Sequence, residues 1–571
     1  MDVNVAHQQA SSSDKSHDSV SEITFNNGEM LAVGEGDIVV FVGPNNAGKS
    51  QSLKDMYGLC GGYQNGMVIK SLKLTKSPAC ALQNLLKEIA VDRDQGDYKD
   101  FEGYRFAFNS YQLAEYDRVE HFGFARDILV SNLDTESRLV SCHAASAITR
   151  LSPKQHPIHY AAFDYSIQER QSLASRKAFG VDLVPDTFFG AEFPMRMGTL
   201  PSLDESIENP QERVGEYGRA ISQLRRVDEQ GDGIRSFVGV LLSLSIPHFR
   251  ILLIDEPESF LHPPQAFIMG RTIGELLGEG KQAFISTHSQ DVVKGLLEEC
   301  PNRVKIVRIT RDGDCNQFNI LGKEAVSEIC NDPLLKHSDI LNGMFHRELV
   351  LCESDGDCKF YSVIDSAIKE DKESYSETMF MHCGGKSRMK KVSSILRKLG
   401  LSFHVVVDID ALNNEQYISE LFNSCGGDWT DLEKPYRVLS SGLEGQGGYP
   451  NRREVKAGVL ELLEGGEEER LSKNECETAR RLFVPATKWS QLKTGGVGAV
   501  PGGDCRTAFD EINEALNKHG VHLVPCGELE RFVPQVGGHG PEWVNNVFDK
   551  YPDLKNSIYY ESRRFVESWG L

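Results

Sequence analysis

Short apolar runs alternate with helical periodicity along most of this chain, which predicts a parallel α/β organisation. Gly36 to Gly43 (GDIVVFVG) reads as a buried strand entering a glycine turn, and Lys49 to Leu59 as the helix behind it. Phe249 to Ile254 and Gln282 to Ile285 are further strands, while Ala81 to Ile89 and Glu205 to Leu244 are helix-rich. Between Arg170 and Phe193 the pattern is weak and no element is assigned. A second series of strands follows at Glu348 to Cys352, Thr378 to Met381 and His404 to Val407, with a helix over Lys390 to Leu399. From Ser424 to Glu469 glycine and glutamate are frequent and periodicity is lost, so that stretch is expected to be loop-rich.

A chain of 571 residues implies two or more domains, each with its own core. Asn331-Asp332-Pro333 breaks the pattern inside a linker at Cys330 to Asn342. The expected layout is a disordered polar tail (1–21), an α/β domain (22–335) and a second α/β domain (336–571). The long interval after the first strand predicts a helical insertion over about 80–205, of the kind used for dimer contacts.

Composition changes this picture little. No apolar stretch reaches the roughly 18 residues that span a bilayer, so no membrane partner is expected. The 13 cysteines show no C-x-x-C pair and no zinc spacing. They read as reduced thiols in a cytoplasmic protein, with Cys60, Cys80 and Cys142 as small core residues. A net charge of −21 argues against whole-surface binding of nucleic acid but leaves room for a local basic channel or a metal-bridged phosphate.

Chemistry enters at the strand ends. Gly43-Pro44-Asn45-Asn46-Ala47-Gly48-Lys49-Ser50 fits G-x-x-x-x-G-K-[ST] between a strand and a helix, the context that a phosphate-binding loop requires. Its backbone N–H groups would curl around the phosphates of ATP. Lys49 would neutralise the β/γ charge and Ser50 would ligate Mg2+. In Ile251-Leu252-Leu253-Ile254-Asp255-Glu256 two acids follow a buried strand. Asp255 is placed to hold the magnesium and Glu256 to orient the attacking water. Ala283 to Ser289 is another strand ending at a histidine, His288, read as a γ-phosphate sensor.

Further along, Glu353, Asp408 and Asp410 follow two apolar runs. Carboxylates gathered at strand C-termini repel one another unless a divalent cation lies between them. Alternate residues of a strand end face one way, so Asp408 and Asp410 are expected to face one metal.

The segments IDEPESFLHP and ISTHS resemble the ABC-type ATPase heads of the SMC group. The resemblance implies a signature segment supplied by a second head, and Gly231 and Gly233 in Glu229 to Ser236 are the candidates, although the segment departs from the Ser-Gly-Gly pattern. No Q-loop can be placed. Glu353-Ser354-x-x-Asp357 resembles the first Toprim motif, with serine where glycine is usual, and Asp408-Ile409-Asp410 resembles the second. Glu528 and Glu530 resemble the acidic motif with which Toprim nucleases of the OLD family hold a second cation. The family also implies an assisting lysine, for which Lys386 and Lys493 are rival candidates.

An ABC-type ATPase followed by a Toprim domain is the architecture of OLD-family endonucleases. That resemblance implies an ATP- and Mg2+-dependent (or Mn2+-dependent) DNA endonuclease using two metals held by Glu353, Asp357, Asp408, Asp410, Glu528 and Glu530. It implies a homodimer or dimer of dimers through the ATPase heads. It also implies a role in antiphage defence beside a second component, a helicase-like protein or a retron reverse transcriptase with its nucleic acid. The alternative is an ATP-gated DNA clamp or signalling scaffold whose Toprim domain does not cut.

Overall fold

The computed structural model describes residues 18–94, 99–188, 190–204, 206–313, 315–324, 326, 339–443, 452–464, 471, 476, 479–480, 482–483 and 488–571. It divides into two compact units, one ending at Phe345 and one running from His346 to Leu571. The boundary expected after residue 335 falls outside the described residues, and the division lies ten positions later.

The first unit is built on a six-stranded sheet. Its strands are β1 (Ile38–Val42), β2 (Val130–Leu133), β3 (Ile251–Asp255), β4 (Gln282–Ser286), β5 (Val304–Asp312) and β6 (Cys315–Leu321), in the order β6-β5-β1-β4-β3-β2. All pairings are parallel except β5 with β6. Every residue of β1 and β4 is buried, which explains their unbroken apolar character. Register aligns Asp255 with Ser286 and Ser286 with Phe41, so the glycine turn after β1, the acids after β3 and the histidine after β4 emerge at one edge. Helix α1 (Lys49–Cys60) leaves that edge directly after the turn.

The interval 80–205 is not the purely helical insertion expected. It supplies β2, the outermost strand of the main sheet, beside a small antiparallel sheet formed by Val91–Asp94, Lys99–Gly103 and Phe106–Asn109. The unassigned stretch holds a helix, Tyr165–Phe179, and a strand, Asp182–Pro185. Ser19–Phe25, which begins inside the stretch expected to be a tail, forms a strand paired with Met30–Ala32 and Ile69–Thr75. Cys60 and Cys142 are buried as expected, but Cys80 is exposed at the start of the helix Ala79–Ile89.

The second unit centres on a four-stranded, wholly parallel sheet: β7 (Glu348–Cys352), β8 (Thr378–His382), β9 (Phe403–Asp408) and β10 (Val521–Val524), in the order β8-β7-β9-β10. Helices α2 (Asp355–Asp371) and α3 (Lys386–Lys398) follow β7 and β8 as crossover connections. Phe360, Tyr361, Phe532, Trp543, Phe565 and Trp569 make the aromatic core behind β7. The stretch after Ser424 is not loop-rich where it is described. Glu433–Leu443 and Arg452–Glu464 are helices, the first amphipathic with Tyr436, Leu439 and Leu443 buried. No helix among the described residues is long and apolar enough to cross a membrane.

Candidate nucleotide and carboxylate sites

The glycine turn after β1 opens into a cleft of about 720 Å3 lined by Asn45 to Gln51, Glu256, Arg311 and Asn316. Gly43 takes φ +144, and a Cβ there would lie 2.0 Å from the Ile309 carbonyl oxygen, so no side chain fits. Lys49 is buried and donates to the carbonyls of Gly43 and Pro44 at 2.8 Å each. Burial lowers its pKa, against the opposing pull of Glu256, Glu258 and Asp255. Asn316 supports the loop, donating to the Ala47 carbonyl at 2.9 Å.

At the neighbouring strand tip, the Ser50 hydroxyl donates to Asp255 Oδ1 at 2.8 Å, and the Ser286 hydroxyl donates to the same oxygen. Serine hydroxyl and carboxylate thus meet where a magnesium on a loop-bound triphosphate requires oxygen donors, and the pair fits that ion. Glu256 sits at φ +46, a strained backbone for a residue with a side chain, and its N–H donates to the Ser286 carbonyl at 2.8 Å. His288 Nδ1 lies 3.5 Å from Glu256 Oε1 and 3.2 Å from Glu258 Oε1.

Two residues of this edge carried no role in the sequence reading. Glu258 is buried, accepts from the Thr287 hydroxyl at 2.8 Å and the His288 N–H at 2.9 Å, and has its pKa raised by burial. Arg138 is fully buried. It donates to the Asp255 carbonyl, to the Glu256 carbonyl at 3.1 Å and to the Ser236 hydroxyl at 3.1 Å, clamping the end of β3. Glu258 was visible as a third acid after the strand; Arg138, in an ordinary helical segment, gave no signal. Gly231 caps the helix Asp232–Leu244 and Gly233 lies in its first turn, where a Cβ would come within 2.6 Å of the Phe260 carbonyl. Neither lines the phosphate cleft.

In the second unit the C-terminal ends of β7, β9 and β10 carry the acids. Glu353 follows β7 and accepts weakly from the Asp408 N–H at 3.4 Å. Asp408 ends β9, but Asp410 is not on the strand: it is brought round by the 3-10 turn Ile409–Asn413. Strand alternation therefore does not orient this pair, contrary to expectation, because the chain turns between them. Lys386, the first residue of α3, donates to Asp410 Oδ1 at 2.5 Å and lies 3.5 Å from Glu353. Lys493, on the helix Lys488–Gly495, lies 3.7 Å from Asp410 and 3.4 Å from Glu528. Both rival lysines thus reach the same cluster, from opposite flanks.

Gly527 delivers Lys493. It takes φ +111, and a Cβ there would lie 2.2 Å from the Lys493 carbonyl oxygen, so the turn after β10 packs directly on that helix. Ser354 stands at φ −135, where a side chain costs nothing, and its hydroxyl accepts from the Asp357 N–H at 3.3 Å as the cap of α2. Asp357 returns the bond, accepting from the Ser354 N–H at 2.9 Å. Glu530 accepts from the Gly540 N–H at 3.0 Å, with the His539 ring 3.4 Å away.

Electrostatics tie these groups together. Burial first, and then the Glu353 charge, push the Asp408 carboxyl up to about 8. Burial raises Glu353 against the pull of Lys386, and burial raises Asp357, with Glu530 adding to it. Burial works against the ammoniums of Lys386 and Lys493, but Glu353, Asp410 and Glu528 outweigh it and raise both. Buried carboxylates whose protons are held this tightly offer the oxygen donors that a divalent cation takes. Among the described residues, however, no three acid, histidine or cysteine side chains converge as a ready-made metal cage. The two ammoniums lie between the carboxylates instead. Trp543 is core, fully buried with its N–H on the Val536 carbonyl, and Trp489 is half-buried.

Residues 114–294 match a family model described as "AAA domain, putative AbiEii toxin, Type IV TA system". The stretch takes in Asp255, Glu256 and His288. A curated relative, "Old nuclease" of Escherichia phage P2, is 22% identical over 246 residues, 40% of this chain and 40% of that protein. The chain thus spans less than half the length of that relative. Similar solved structures include the SmcHead bound to the C-winged helix domain of ScpA (TM-score 0.32, 10% identity, 55% of this chain and 99% of that one). The SMC head domain from Thermotoga maritima has TM-score 0.28 at 13% identity, over 52% of this chain and 98% of that one. The α/β architecture rests on the strand order above, and the chain is similar over part of its length to an AAA-domain family and to the Old nuclease of phage P2.

Proposed function

We propose that this chain is an ATP-hydrolysing, divalent-cation-dependent DNA endonuclease with a Toprim-like cutting site. The observation that carries the reading is that Lys386 lies against both Glu353 and Asp410, Lys493 against Asp410, and the Asp408 N–H on Glu353, at the C-terminal edge of a parallel sheet in a chain with a phosphate loop. Bound cations would supply charge neutralisation at a scissile phosphodiester and a more acidic water. Glu353, Asp408 and Asp410 would hold one, and Asp357, Glu528 and Glu530 would contribute to a second. Lys386 and Lys493 then turn from their carboxylates toward the phosphate, each meeting a non-bridging oxygen.

At the nucleotide edge Lys49 meets the β/γ-phosphates, Ser50 and Asp255 hold magnesium, Glu256 orients the attacking water and His288 contacts the γ-phosphate. Gly231 and Gly233, away from the cleft of their own chain, would complete the cleft of a second copy, giving a homodimer or a dimer of dimers. On the family resemblance, the chain would act in antiphage defence with a second component.

The ammoniums lodged among the carboxylates favour a second reading, an ATP-gated DNA clamp whose second unit does not cut. One experiment separates the two. Purified protein is incubated with supercoiled plasmid, ATP and Mg2+ or Mn2+, beside Glu353→Ala and Asp408→Ala. Cleavage by the wild type alone supports the nuclease; equal survival of plasmid in all three, at protein excess and with either metal, overturns it.

A further inference from the structure

At the end of β3 remote from Asp255, a cavity of about 450 Å3 opens beside His248 and Arg250. Arg250 immediately precedes β3, and the rise of a strand sets it about 17 Å from Asp255, so this cavity is separate from the phosphate cleft. Its size falls within the range of small-molecule sites.

Its polar groups are arranged unusually. His248 is only 2% exposed, and its Nε2 has no hydrogen-bond partner among the described residues. Its Nδ1 lies 3.4 Å from the Tyr160 hydroxyl. With that nitrogen accepting, Nε2 carries the proton and is a free donor. Burial first, then Lys281 and Arg250, push the His248 pKa down to about 3, so the ring is neutral. Arg250 Nε is also buried without a partner, and no carboxylate pairs with that guanidinium among the described residues. Lys154 lies over the Tyr160 ring at 5.7 Å, on another wall.

Leaving buried donors and a guanidinium unpaired is costly, and native structures rarely do it without a reason. The cavity's own acids do not supply one. Asp164 is occupied in capping Tyr165–Phe179, accepting from the Ser166 N–H at 2.9 Å, and Glu88 stands exposed at the rim. Leu85, Ile89 and Phe163 line the rest with apolar surface. Three donors, His248 and Arg250 from one segment and Lys154 from another, suit the three oxygens of a phosphoryl group better than the two of a carboxylate.

We propose that this cavity binds a small organic phosphate, with Arg250, His248 and Lys154 receiving the phosphoryl group and Leu85, Ile89 and Phe163 its apolar body. The proposal is independent of the nuclease reading.

The test is calorimetric titration of the full chain carrying Lys49→Ala, which silences the phosphate loop. The probe is deoxyadenosine 5′-monophosphate, with deoxyadenosine and benzoate as controls. The monophosphate should bind and both controls should fail. Arg250→Gln and Lys154→Gln, each added to Lys49→Ala, should each weaken binding at least tenfold. Lys154→Gln, nearer solvent, decides the matter if Arg250→Gln does not fold. Absence of binding at millimolar probe, binding that Lys154→Gln leaves unchanged, or equal binding of benzoate would overturn the proposal.

Discussion

Lys386 donates its ammonium to Asp410 at 2.5 Å, from the first turn of the helix that follows β8. That contact fills the space between Asp410 and Glu353 with a positive charge, in the position where the proposed function requires a cation. Lys386→Ala should therefore loosen the metal-free cluster while removing a group that meets the phosphate. Plasmid cleavage is expected to fall by at least about 100-fold, the scale of losing one charged donor to a developing charge. ATP turnover should stay within twofold. Lys493→Ala should act in the same direction. If one variant cuts at the wild-type rate, that lysine has no part in cleavage.

Asp408 gives a prediction in pH. Its carboxyl is raised from the ordinary value to about 8 by burial and by Glu353, so the folded protein binds a proton that the unfolded chain releases at lower pH. A raised pKa contributes stability that is complete below the unfolded value near 4 and is lost as pH rises through about 8. Metal-free Asp408→Asn should thus melt higher than wild type at pH 8 by about 3 °C or more, the shift that about 1 kcal/mol brings in a domain of this size. At pH 4 the difference should shrink toward zero. Thermal melts in chelator at both pH values check the sign, and an equal shift at the two would refute the assignment.

Gly527 tests how the second lysine is delivered. Its Cβ would lie 2.2 Å from the Lys493 carbonyl, at a φ of +111 that alanine resists. Gly527→Ala should push the Lys488–Gly495 helix away and reduce cleavage about as much as Lys493→Ala does. The double variant should cut no worse than either single one, because both remove one ammonium. Additive losses would show that Gly527 acts elsewhere.

How much of this was legible in the sequence depends on whether the signal was local. β1, β3, β4, β7 and β9 announce themselves as apolar runs because parallel strands are buried on both faces, and the phosphate loop is a contiguous motif. The acids at their tips were legible for the same reason. β2 was missed because Val130–Leu133 is a short edge strand inside a helical interval, paired on one side only. Asp410 was placed on the strand because spacing cannot show that the chain turns after Asp408. The choice between Lys386 and Lys493 was not readable, since their shared neighbour Asp410 is 24 positions from one and 83 from the other in sequence. Ser354 read as an imperfect glycine, whereas it is a helix cap.

Glu258 makes the final prediction, at the nucleotide edge. Its carboxylate accepts from the Thr287 hydroxyl and the His288 N–H, and its Oε1 lies 3.2 Å from His288 Nδ1, so it holds that ring beside Glu256 rather than touching nucleotide. It is a positioning residue. Removing it frees the His288 ring without removing any group from the phosphate cleft. Glu258→Ala should therefore lower kcat for ATP hydrolysis by about tenfold or more while KM changes less than twofold. Glu258→Gln keeps an oxygen to accept both bonds and should restore most of kcat. It also replaces a carboxyl whose charged form burial penalises with a neutral amide, so its melting temperature at neutral pH should match or exceed that of wild type. A merely structural residue would lose stability and activity together in both variants. A kcat in Glu258→Gln as low as in Glu258→Ala, with both proteins folded, would mean that the negative charge itself acts on the reaction.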